Sequence, residues 1–185
     1  MNKNKLLKYI KENFTKKLIF LRTIIFLGAL AIVLSIVLPL NLYFSKFEEN
    51  TSIGNGFIYV IIRHNTGLSF SSFENNPTLS IVISSLVCSF VIILLIFQKK
   101  WYYIFLLSLT VAGSIFNICD KITNGYVLDY FTFKPEWLNT SVWNMPDVFV
   151  LTGVIGYELL YIVLLIAGHV KNKKINTNET NNEQK

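Results

Sequence analysis

The chain predicts an all-α membrane protein: four transmembrane helices with small extracytoplasmic β-strand elements. Three observations carry this. Of 185 residues, 52% are hydrophobic and 15% charged, with mean hydropathy +0.48, too apolar for an ordinary soluble domain. Four segments reach the ~20 apolar residues needed to cross about 30 Å of hydrocarbon. Lys and Arg cluster beside alternate ends of those segments.

The spans are Leu18 to Leu40, Leu79 to Phe97, Trp101 to Cys119 and Val148 to Gly168. Ala29-Leu30-Ala31 looks like a small-x-small cleavage site, but it lies mid-span. Thr23 to Leu40 is long enough to remain as an anchor, so retention is expected over removal as a signal peptide. Residues 1–17 form a basic amino tail, 18–168 the membrane domain, and 169–185 a polar tail with too few apolar residues to bury a core, expected to be disordered. Of 17 Lys and Arg residues, 13 fall in the stretch to Arg22, the Gln98-Lys99-Lys100 turn and the tail after Gly168. Positive charge stays cytoplasmic, so both termini are expected inside, with the connections 41–78 and 120–147 outside. This anchoring accounts for the net charge of +6 without a nucleic-acid partner.

Cys88 and Cys119 lie inside spans without CxxC spacing and read as buried small residues, not as a zinc site or disulfide. His64 and His169 are expected at opposite membrane edges, which argues against a shared metal; no metal and no cofactor is expected.

The informative part is the outer face. "FIYVII" suits a short strand, followed by the Asn65-Thr66-Gly67 turn; Asn124-Gly125 is a second turn, and "YVLDYF" a second strand. Alternation puts Val127, Asp129 and Phe131 on one strand face, a carboxylate between two apolar neighbours. Asp147 follows "WNMP" at the mouth of the last span, where Pro suits a helix start. Each polar residue has a purely structural reading: Asn144 or Asp147 as a helix cap, Asp120 with Lys121 as an interfacial charge pair, Asn117 as a helix-to-helix bond. Together, Asn65, Asn117, Asp120, Asp129, Asn144 and Asp147 map to one membrane edge, where polar groups beside hydrocarbon point to function.

The order of these blocks resembles signal peptidase II, the bacterial lipoprotein signal peptidase. "RHNTGLSF" is similar to that family's Asn-x-Gly-x-Ala-Phe block, "NICDKITNGYVLDYF" to its Asn-x-x-Asp-Arg block with the first catalytic Asp nine residues on, and "WNMPDVFVLTG" to its Asn-x-Ala-Asp block. The resemblance spans Leu18 to Gly168. It implies an intramembrane aspartyl endopeptidase with Asp129 and Asp147 as the catalytic pair, supported by Asn65, Gly67, Asn117, Asp120, Lys121 and Asn144. It also implies the substrate: a diacylglyceryl-modified prolipoprotein, cut before its lipidated Cys and reached laterally from the lipid. The expected partners are such prolipoproteins and membrane lipids, with the protein itself expected to be monomeric. Lys121 stands where the family has Arg, Ser69 and Pro146 where it has Ala. In "LYFSK", Lys46 matches an Asp-x-x-x-Lys feature, but Leu42 takes the Asp position. Phe57, Tyr59, Phe70, Phe131, Phe133 and Trp137 suit an interfacial cradle or an aromatic belt. The rival readings are a small transporter or ion-pathway subunit binding a cation through Asp120, Asp129 and Asp147, and a structural membrane partner.

Overall fold

The computed structural model describes residues 3–67, 76–134 and 141–183. Ser69, Phe70 and Trp137 lie outside the described residues. Five helices are described: α1 (Lys3–Asn13), α2 (Lys16–Phe44), α3 (Pro77–Phe97), α4 (Trp101–Asn124) and α5 (Met145–Glu183). Three strands accompany them: β1 (Ser52–Ile53), β2 (Ile58–Asn65) and β3 (Val127–Phe133).

Local chemistry sets the helix starts and stops. The Thr15 hydroxyl accepts the Leu18 N–H at 3.3 Å and caps α2; the Asn76 side chain accepts the Leu79 N–H at 3.1 Å and caps α3, with Pro77 in its first turn. Gly125 ends α4 at φ 82°, a left-handed conformation that glycine adopts without a Cβ penalty.

Helices α2, α3, α4 and α5 are each long and apolar enough to span a membrane, and the chain is a multi-pass membrane protein. Their outward faces carry exposed apolar side chains such as Phe20, Leu27, Leu86, Phe90 and Ile155, as a hydrocarbon solvent requires. Helix α4 packs against α2, α3 and α5 and holds the centre. Ala29, Val33 and Val37 of α2 meet Leu109 and Ala112 on one side, while Cys88, Val91 and Leu95 of α3 meet Leu107 and Val111 on the other. Glycines let α4 and α5 approach closely. A Cβ at Gly153 would overlap Thr110 and the Leu106 carbonyl, and one at Gly113 would come within 2.6 Å of the Pro146 carbonyl.

The strands form one antiparallel sheet in the order β1-β2-β3. Between β2 and β3 the register runs Asn65 opposite Val127 and Arg63 opposite Asp129. It then shifts by a bulge, so that Val60 faces Phe131. Ile62, Leu128 and Tyr130 bury this sheet against Leu40 and Phe44 at the end of α2.

Three expectations need correction. Helix α4 runs past Cys119 to Asn124, so Asp120 and Lys121 belong to the helix and not to the connection, because nothing stops the helix before the Asn124-Gly125 turn. Cys119 is exposed; only Cys88 is buried. The polar tail has helical backbone as far as Glu183, continuing a helix already nucleated in the last span.

Candidate active site

Asp129 and Asp147 arrive from different directions. Asp129 sits in the middle of β3 and is 2% exposed; Asp147 sits in the first turn of α5. The link between them is the segment before α5. Trp143 pairs with Phe131 in an isolated bridge: its N–H donates to the Phe131 carbonyl at 2.8 Å, and its carbonyl accepts the N–H groups of Tyr130 and Phe131 at 3.0 Å each. That bridge brings the next residue, Asn144, beside the strand residue that precedes Tyr130, which is Asp129.

Asn144, 1% exposed, then serves both carboxylates. Its side-chain N–H donates to Asp129 Oδ1 at 2.6 Å, while its Oδ1 accepts the Asp147 N–H at 2.8 Å. Asp147 Oδ2 accepts the Asn144 backbone N–H at 3.3 Å, closing a reciprocal capping box at the start of α5. The amide orientation is fixed chemically, because a carboxylate needs the donor and a backbone N–H needs the acceptor.

The other oxygens are held from outside the pair. Asn65, diagonal to Asp129 across the β2–β3 ladder, donates to Asp129 Oδ2 at 2.9 Å and accepts the Gly67 N–H at 2.9 Å in an Asx turn. Asn117 of α4 donates to Asp147 Oδ1 at 2.7 Å, and its own Oδ1 is buried without a partner. One helical turn on, Lys121 is 7% exposed and donates to the Gly67 carbonyl and to Ser80 Oγ of α3, tying the turn that bears Asn65 to two helices. Tyr130 accepts the Met145 N–H at 2.9 Å and stacks on Phe44 at 4.5 Å, fixing the α5 start against α2.

Burial pushes the Asp129 carboxyl up to about 8. The Asp147 charge adds to this, and the bonds from Asn65 and Asn144 together with the Lys121 charge oppose it. Burial likewise raises the Tyr130 phenol.

Of the residues named from sequence, Asn65, Gly67, Asn117, Lys121, Asp129, Asn144 and Asp147 gather here. Asp120 does not. Its oxygens take the Leu128 N–H and the Asn124 amide, so it secures the junction of α4 with β3 and makes no pair with Lys121. The helical phase decides this: 120 and 121 point about 100° apart, and only 121 follows 117 at i+4. His64 stacks on Tyr126 at 3.9 Å beside Glu49, and His169 lies far along α5. Among the described residues, no three His, Cys, Asp or Glu side chains gather as a metal site would require. Sequence reasoning missed Ser80, Gly113 and Tyr130. The only signal for them was helical or strand phase relative to the named residues.

A family model described as signal peptidase (SPase) II matches residues 29–166. The chain belongs to the signal peptidase II family. Its similar relatives include the lipoprotein signal peptidase of Mycoplasmoides gallisepticum, 32% identical over 193 aligned positions covering 98% of this chain. That match spans 62% of the relative's length. The lipoprotein signal peptidase of Mycoplasma genitalium is 32% identical over 130 positions, covering 68% of this chain and 70% of that protein. A solved bacterial membrane enzyme shares the fold, with a TM-score of 0.64 at 18% identity over 76% of this chain and 87% of its own. All the residues around the two carboxylates fall inside the family's matched range, whereas α1 and the first turns of α2 precede it.

Proposed function

We propose that the chain is an intramembrane aspartyl endopeptidase that removes signal peptides from diacylglyceryl-modified prolipoproteins, cutting before the lipidated Cys. One observation carries the reading above all: Asn144 binds both carboxylates at once, its side-chain N–H donating to Asp129 Oδ1 and its backbone N–H to Asp147 Oδ2. A cap alone would need only the second contact.

Two carboxylates so linked, Asp129 buried and Asp147 half-buried, do not both ionise easily, and one proton near neutral pH suffices for hydrolysis. Asp129 carries that proton. Asp147 takes a proton from water as the water oxygen attacks the scissile carbonyl, and Asp129 gives its proton to the carbonyl oxygen. When the tetrahedral species collapses, the C–N bond breaks and the nitrogen receives the proton from Asp147. The carbonyl re-forms by returning the other proton to Asp129, so the pair ends as it began. Asn65, Asn117 and Lys121 hold the geometry.

The substrate's route is supported by an apolar groove of about 420 Å³ beside the pair. It is lined by Phe131, Phe133 and Trp143 and runs down α5 along Val148, Leu151 and Ile155. A groove continuous with the hydrocarbon face suits a lipid-bearing substrate that arrives from within the bilayer. With the basic end inside, the carboxylates sit at the extracytoplasmic face.

The test is cleavage of a lipidated prolipoprotein by the purified chain and by its Asp129→Asn and Asp147→Asn variants. Either variant should be inactive while folded and membrane-inserted, with the double variant no worse than either single one. Activity should be indifferent to chelator. Robust cleavage by either variant would refute the paired-carboxylate reading, and chelator-sensitive cleavage by the native chain would redirect both residues to metal binding.

A further inference from the structure

The end of the bundle remote from the carboxylates has its own organisation. Arg22 of α2, 6% exposed, donates through Nη1 to the Asn13 carbonyl at 2.7 Å. Through Nε and Nη2 it donates to the Gln98 carbonyl at 3.0 and 2.8 Å. The Gln98 side chain donates in turn to the Tyr157 hydroxyl at 3.1 Å. Tyr9 stacks on Phe97 with centroids 6.1 Å apart, and Phe14 meets the same ring edge-on. Helix α1 is thus fastened to the α3–α4 connection and does not trail free.

Alongside this fastening, a groove of about 560 Å³ runs along one face of α1 as far as the cap residue of α2, lined by Asn4, Leu7, Lys8, Lys11, Glu12 and Thr15. Lys5, Lys8 and Lys11 recur every third residue and stand on one exposed stripe. Glu12 is the one carboxylate of the lining, and no ion pair within 4 Å involves Lys8 or Lys11 among the described residues. The floor is apolar at Leu7, with Tyr9 and Phe14 exposed nearby, and the first span begins directly after, at Lys16.

We propose that this groove is a binding site for the headgroup of an anionic phospholipid, with Lys8 and Lys11 on the phosphate and the acyl chains running down past Leu7 onto α2. Two cations facing one acid favour an anion. The apolar floor and the adjoining span favour one attached to hydrocarbon over a free phosphate. The proposal is independent of the carboxylate chemistry at the other end.

The full-length chain is delipidated in detergent, then offered phosphatidylglycerol, phosphatidylcholine or inorganic phosphate, with retained ligand counted by native mass spectrometry. Native protein should retain phosphatidylglycerol in preference to phosphatidylcholine and retain no inorganic phosphate. At about 1 kcal/mol per surface Lys, the Lys8→Gln/Lys11→Gln variant should bind phosphatidylglycerol roughly thirtyfold more weakly. Lys8→Arg/Lys11→Arg should retain it. A Lys99→Gln/Lys100→Gln variant removes equal charge from the same end of the bundle and should bind as the native chain does. Equal retention of the two lipids, equal loss in the Lys99/Lys100 variant, or retention of inorganic phosphate comparable to that of the lipid would each overturn the site.

Discussion

Replacing Gly113 by Ala adds one methyl group at the contact that sets the spacing of the two carboxylates. Gly113 faces the first turn of α5, and the added Cβ would lie 2.6 Å from the Pro146 carbonyl oxygen, 3.1 Å from Val150 Cγ2 and 3.4 Å from Phe149 Cβ. Pro146 immediately precedes Asp147, and the nearest of these neighbours is backbone, so a rotamer change cannot relieve the overlap. Restoring ordinary contact requires the helices to separate by about 0.7 Å, at a cost on the order of 1–3 kcal/mol for an overpacked interface. Asn117, one turn along from Gly113, holds Asp147 at 2.7 Å. The same displacement stretches that bond to about 3.4 Å, beyond useful hydrogen-bonding range. A misplacement near 1 Å at a reacting group costs up to about a hundredfold in rate. The expected kcat/KM of Gly113→Ala on a lipidated prolipoprotein is therefore roughly 10- to 100-fold below native, with the variant still inserted in the membrane. Gly28→Ala is the control: its Cβ would meet nothing within 4 Å, so activity should be native. Native kcat/KM in Gly113→Ala would refute the claim that this close approach positions Asp147.

Further outcomes follow from the same geometry. An unfolded Asp titrates near 3.9, whereas Asp129 in the fold is pushed up to about 8. Between those values the folded state binds the extra proton, so this group's contribution to stability is full below about pH 4 and is lost as pH rises through about 8. Thermal unfolding in detergent should show that decline, and Asp129→Asn should flatten it. Asn65→Ala removes a bond that favours the charged form, so the alkaline limb of the pH–rate profile should move upward. Lys121→Arg should keep measurable cleavage, while Lys121→Met, which leaves the Gly67 carbonyl and Ser80 without their donor, should lose far more at matched protein levels. Tags after Lys100 and Gly168 should be protected in sealed cells, and tags near Asn50 or Asn139 should be accessible to external protease. An accessible carboxyl tail would reverse the orientation.

Sequence by itself determined the spans, because a 30 Å slab of hydrocarbon admits only long apolar helices, and that demand is written in composition. It also named the polar residues at one membrane edge, since polar groups stand out against such a background. The family-like blocks singled out Asp129 and Asp147. Only the tertiary structure decided which of the named residues meet. Asp120 and Lys121 are neighbours in the chain, yet helical phase sends one to the β3 junction and the other to Gly67 and Ser80. Asn144 reads from sequence as a cap. Its second bond, to Asp129, exists because the Trp143–Phe131 bridge lays the α5 entrance against β3. Gly113 carries no chemistry of its own, and its weight comes from what a side chain there would strike. Such contacts join residues from 8 to 54 positions apart, and pair distances of that kind are a property of packing that no local pattern of residue types encodes.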